Sequence, residues 1–145
     1  MINRLPSQID SEERLTNYIF SKKWFSPQAQ RVKVQAFRPR PSKTETPELQ
    51  LSVYRTKECE ESEIWHLGDK NVRDKRSDHR RPPILARGDI IAKDAIDQQL
   101  HVVSSPNYHF LHADIVLWPI DKELCEMKAV ELALKAVLYI RPAPA

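Results

Sequence analysis

The stretch that most constrains this chain runs from His101 to Pro119 and leads directly into its longest helical pattern. From Phe110 the residues alternate as a strand does, because successive side chains on extended backbone point to opposite faces. Leu111, Ala113, Ile115 and Leu117 make one wholly apolar face, which belongs on a core. Phe110, His112, Asp114, Val116 and Trp118 make the other, and that mixture predicts a half-covered surface such as a cleft wall or a contact. Past Pro119, Asp121 is a natural N-cap for a helix reaching Tyr139. Val130, Ala133, Leu134, Val137 and Leu138 follow the i, i+3, i+4, i+7, i+8 spacing of a buried stripe.

The remaining chain supplies partners for such a sheet. Asp10 to about Lys23 reads as a helix, with Asp10 and Glu13 at capping-box spacing and Leu15, Tyr18 and Ile19 inward. Ser26-Pro27 ends it, since the residue before proline avoids helical backbone. Arg31 to Phe37 alternates as a strand, followed by a proline-rich loop over 38–47 and a second strand from Leu49 to Thr56. If the Leu49, Leu51, Val53 face of that strand is buried, Arg55 at its end requires an anionic partner. Glu60 to about Leu67 reads as a short helix stopped by Gly68. Asp69 to Pro83 carries many charges and little apolar surface, so an exposed, mobile loop is expected. A strand from Ile84 to Ile91, interrupted at Arg87-Gly88, a short helix from Lys93 to Gln99 and a strand from Leu100 to Ser104 complete the order. That order argues for a single α+β domain spanning residues 1–145, a mainly antiparallel sheet backed by a long C-terminal helix and shorter ones.

Composition bounds the chemistry. The chain of 145 residues has eleven prolines and two glycines, Gly68 and Gly88, which excludes a phosphate-cradling glycine loop or a dinucleotide fingerprint. Cys59 and Cys125 are expected as free thiols. No apolar run approaches a membrane span and the N-terminus lacks a signal-peptide core, so a cytoplasmic protein with no membrane association is expected. No cofactor is implied. His79, His109, His112, Asp114 and Cys59 lack the spacing of a zinc site, so no metal is expected either.

Charge is the stronger signal. The net charge is +3, yet from Arg14 to Thr44 there is no acidic residue and eight basic ones. Within that window Lys22, Lys23, Arg31, Lys33, Arg38 and Arg40 interleave with Trp24, Phe25 and Phe37. Lysine and arginine neutralise phosphates and aromatic rings stack on unpaired bases, so the window suits nucleic acid, single-stranded or RNA before duplex. The bets are those six cations for phosphate and Trp24 for stacking, in a binding module that can serve as a subunit of a larger assembly. The same cations would equally suit an acidic protein partner. A third reading is a metal-independent nuclease in which His109 and His112 exchange protons and Asp114 orients one of them, because imidazole titrates near neutral pH. The plain reading of that trio is two hydrogen-bonded histidines beside a paired aspartate.

Overall fold

A computed structural model describes residues 8–73, 83–106 and 109–142. Among these residues nine strands and three α-helices follow in order: β1 Arg14–Ile19, β2 Phe25–Ser26, β3 Arg31–Val32, β4 Arg40–Pro41, β5 Leu49–Arg55, α1 Glu61–Gly68, β6 Ala86–Ile91, α2 Ala92–Ile96, β7 His101–Ser104, β8 His112–Val116, α3 Lys122–Lys135 and β9 Val137–Ile140. Seven strands form an antiparallel sheet in the order β7-β8-β5-β1-β6-β9, with β4 added on β5. The remaining two, β2 and β3, pair as a small hairpin. This is the α+β architecture expected.

Both faces of the sheet are covered. Leu15 and Ile19 of β1, Leu51 and Val53 of β5, and Ala113 and Ile115 of β8 enter the larger core, under the hairpin, α2 and α3. Tyr18 of β1 and Tyr54 of β5 point the other way, into a smaller core with Ile64, Trp65 and Leu67 of α1. The segment expected as a helix over Asp10–Lys23 is therefore the central strand. A strand covered on both faces need not alternate apolar with polar, and here Thr16 is buried while Leu15, Tyr18 and Ile19 imitate helical spacing by accident. What fixes it is pairing: Leu15 lies opposite Arg55 on one side and Ile90 on the other. Arg31 to Phe37 also differs from expectation. It extends only through Val32 before a 3-10 turn, Val34–Phe37, drops Ala36 and Phe37 into the core.

Neither glycine acts as a breaker, and neither has positive φ. Gly68 closes α1 against β1, where a β-carbon would stand 2.6 Å from Tyr18 and from Ile84. Gly88 continues β6 without interruption, opposite Asn17 and Leu138, and a β-carbon there would meet Val32 at 3.0 Å. Both are sites of close approach. The chain then passes from α1 into a π-helical turn, Asp69–Arg73, whose Asp69 accepts from both terminal nitrogens of Arg141 at 2.8 and 2.7 Å. The rest of the charged segment, with Lys75, Arg76, His79 and Arg80, lies outside the described residues. Cys59 and Cys125 are free and half-buried.

The C-terminal helix carries the largest correction. Asp121 caps it, accepting from the Leu124 amide at 2.9 Å, but it ends at Lys135. Val137 to Ile140 is β9, since β-branched and aromatic residues favour a strand and β6 offers a free edge. The buried positions are Ala129, Leu132 and Ala133, whereas Leu134 is 65% exposed. The expected stripe thus shares only Ala133 with the buried face. In β8 the alternation is likewise broken at its end, because Leu117 adopts a φ of 67°. That rotation sends Leu117 to solvent and Trp118 into the larger core, while His112 and Asp114 are buried rather than half-covered.

Leu132→Ala should therefore destabilise the protein by about 2–5 kcal/mol, as truncation of a buried leucine does. Leu134→Ala in dilute solution should stay within about 0.5 kcal/mol of wild type. Urea denaturation of the two variants decides which stripe is core.

Candidate functional site

The basic window folds into a lobe on the larger core. Ser21 caps a 3-10 turn, Lys22–Trp24, through its hydroxyl, which accepts from the Lys23 amide at 3.2 Å. That turn leaves both lysines exposed and tucks Trp24, half-buried, against the core. The Lys33 amide then donates to the Trp24 carbonyl at 2.8 Å, and the Arg40 guanidinium carbon stands 5.9 Å from the Trp24 ring centre. Lys22, Lys23, Lys33 and Arg40 are thereby gathered around Trp24. Arg31 sits on the same hairpin opposite Ser26. Arg38 is drawn aside, its Nε donating to both Glu126 oxygens of α3 at 3.0 and 3.1 Å. Arg14, although in the window, turns inward to the Thr56 hydroxyl and the carbonyls of Thr56 and Cys59.

The lobe differs from the rest of the surface in how many unpaired cations it gathers, since elsewhere Lys57, Lys70, Lys122 and Lys135 are exposed without an ion pair at separate places. Arg55, Arg87, Lys93 and Arg141 are each matched to a carboxylate. Among the described residues, Lys22, Lys23, Arg31, Lys33, Arg40 and Lys43 are exposed and none has an ion pair. Concentrating unpaired cations on one lobe raises the local potential towards anions.

The histidine trio lies across the sheet. His112 donates from Nδ1 to the Ser105 carbonyl at 3.1 Å, closing the β7–β8 hairpin, and its Nε2 is 3.9 Å from Asp114. Its ring meets Tyr54 edge-on at 5.3 Å between centres. His109 accepts from the Leu111 amide at Nδ1, 3.1 Å away, and stacks on Phe110. The trio does come together, through hydrogen bonds to backbone and aromatic packing. Burial, then the Asp114 charge, pushes the Tyr54 hydroxyl up to about 12, so it stays protonated beside them. Among the described residues no three His, Cys, Asp or Glu side chains assemble as a metal site.

A second polar group, unforeseen in the sequence, threads the centre of the sheet. Arg87, 1% exposed, donates to Asp89 at 3.1 Å and to both Glu61 oxygens at 2.8 and 2.9 Å. Thr16 donates to Asp89 at 2.8 Å and shares a 2.7 Å bond with Thr56. The Arg87 guanidinium is also sandwiched between Trp65, 4.8 Å away, and Tyr139, 4.4 Å away. The available signal was Arg87 and Asp89 two apart on one strand, hence on one face. Burial pushes the Asp89 carboxyl above its ordinary range, and the Arg87 charge and the Thr16 bond pull it only part of the way back. The Arg87 bond holds Glu61 below its usual range, against a smaller effect of burial. The Trp65 indole nitrogen is the one buried side-chain nitrogen or oxygen among the described residues without a hydrogen-bond partner.

No protein-family model, curated protein or solved structure matches this chain. Also, no helix among the described residues is long and apolar enough to cross a membrane.

A pH dependence follows from the central network. Because the folded Asp89 holds its proton more tightly than the unfolded chain does, this group favours folding as pH falls towards 3.8, its ordinary value. Glu61, lowered in the folded protein, contributes stability that is lost on acidification. Asp89→Asn deletes the first effect alone. The stability difference should thus shift in favour of wild type between about pH 7 and about pH 4. Urea midpoints of both proteins across that range check the sign, and a flat or opposite trend counts against it.

Proposed function

We propose that this protein is a nucleic-acid-binding module whose lobe from Ser21 to Lys43 tracks the phosphate backbone of a single strand or RNA. The observation that carries the reading is the concentration of unpaired cations. Lys57, Lys70, Lys122 and Lys135 are also exposed without an ion pair but stand apart along the chain, whereas Lys22, Lys23, Arg31, Lys33 and Arg40 share one lobe built from a stretch with no acidic residue. Their backbone belongs to a capped 3-10 turn, a hairpin and a short strand, so the loop ordering that would oppose binding is reduced. Trp24 offers a partly open ring beside Arg40, and an incoming base would share that ring with the guanidinium. Arg38 contributes least, since Glu126 already neutralises it. An acidic protein would meet the same cations, and the experiment below separates the two.

His109, His112 and Asp114 are read as support for the β7–β8 hairpin rather than as a nuclease centre. A reacting phosphodiester would have to reach His112 Nε2, which is buried beside Asp114 and Tyr54.

Fluorescence anisotropy with a labelled single-stranded oligonucleotide tests the proposal. Affinity should fall with salt at a log–log slope of about −0.7 for each phosphate neutralised. Replacing Lys22, Lys23, Arg31 and Arg40 with Gln should flatten that slope while changing the melting curve little, because exposed charges contribute little to stability. Trp24→Ala should weaken single-strand binding by about 1–3 kcal/mol, with some loss of stability because the ring also packs on the core. Absence of binding to single strands and duplex at about 50 mM salt, where the electrostatic contribution is large, would sink the reading and leave the lobe to an acidic protein.

A further inference from the structure

Arg38, Pro39, Arg40 and Pro41 form a stiff rail along the basic lobe. Proline fixes its own φ and keeps the residue before it extended, so both arginines are held in extended backbone. Arg38 has a φ of −73° and a ψ of 127°, and Arg40 and Pro41 pair with Gln50 and Leu49 of β5. Two residues apart on such a chain, the arginines leave it about 6–7 Å from each other. Their surroundings differ. Arg40 stands by the Trp24 ring, exposed and without an ion pair, whereas Arg38 is held by Glu126 of α3.

The chain from Ser21 to Lys43 has no acidic residue, so the lobe's one ion pair among the described residues uses a carboxylate brought by a different element. Glu126 meets one edge of the guanidinium. Nε donates to Oε1 and Oε2 at 3.0 and 3.1 Å, and Nη2 is 3.0 Å from Oε1. Two nitrogens of arginine facing two oxygens of an anion is also the way arginine takes phosphate. The pair is open to water, its side chains 51% and 42% exposed, whereas those of Arg55 and Glu13 are 1% and 5% exposed. An exposed pair contributes little to stability, so this one can open while the fold stays intact.

We infer that Glu126 is a built-in restraint on the lobe, occupying the phosphate-binding edge of Arg38 until a bound strand displaces it. The inference rests on the nucleic-acid reading of the lobe and adds a competition within it. A strand already held by Arg40 and the lysines presents its next phosphate to Arg38 at high local concentration, and so competes with Glu126 as an isolated anion does not.

Fluorescence anisotropy of the full chain with a labelled single strand, in wild type and Glu126→Gln, tests this. At about 50 mM salt, where electrostatic binding is strong, the variant should bind about two- to fivefold more tightly, the factor that an exposed ion pair is worth. Its log–log salt slope should steepen by about 0.7, for the one phosphate gained. The melting curve should match wild type. In an Arg38→Gln background the same replacement should bring a smaller gain and no added slope. Wild-type binding without a gain in Glu126→Gln overturns the inference alone. An equal gain in both backgrounds also overturns it, because the effect would then be that of the carboxylate's field and not of its hold on Arg38. Failure of both wild type and Glu126→Gln to bind overturns the nucleic-acid reading, and the inference with it.

Discussion

The structure depends on burying two arginines without leaving either charge unmatched. Arg55 and Arg87 are the largest side chains taken fully out of solvent. An isolated ion in such a place would be strongly destabilising, and removing one partner of a buried pair costs about 3–5 kcal/mol. Arg55 is met by Glu13, at 2.5 and 3.0 Å, from the residue just before β1. Arg87 is met by Asp89 on its own strand and by Glu61 on α1. Glu13 and Glu61 come from segments distant in sequence. The pairs are satisfied only when β1 lies between β5 and β6 and α1 lies across the second face, which ties the layer arrangement to charge pairing as well as to apolar burial.

Much of the frame was legible from local pattern. The strands at Leu49–Arg55, Ala86–Ile91, His101–Ser104 and His112–Val116, the first turn of α3 at Asp121, and the need of Arg55 for an anion all follow from alternation, caps and the cost of burying charge. The failures share one cause, which is that periodicity reports hydrophobicity and not which side is covered. In β1 one face buries Leu15 and Ile19 and the other buries Thr16 and Tyr18, so polar residues are covered as well and no clean alternation marks the strand. In α3 the outer stripe, with Leu134 and Val130, is more hydrophobic than the inner one built on Ala129, Leu132 and Ala133, so hydrophobicity alone points to the exposed face. Of the central network of Thr16, Thr56, Arg87 and Asp89, only the Arg87–Asp89 spacing on one strand was legible. The rest of it joins positions up to 73 residues apart, and nothing local specifies that pairing.

The candidate site was legible in a different way. A run of cations free of acids is visible in one dimension, and the lobe preserves it because its residues are close in sequence. The fold refines it by turning Arg14 inward, engaging Arg38 with α3, and gathering Lys33 and Arg40 beside Trp24. The Arg38–Glu126 contact also joins the basic lobe to α3.

The turns of this protein reverse the usual division of labour between residue types. Gln30, Gln99 and Leu117 occupy left-handed backbone, while both glycines lie in regular elements where a side chain would collide. Left-handed backbone disfavours an L-residue by roughly 1–2 kcal/mol. A chain with eleven prolines and only two glycines, however, has fewer conformations open to it when unfolded. Part of the free energy that keeps it folded therefore lies in no contact of the native state, but in how little freedom the denatured chain has to regain.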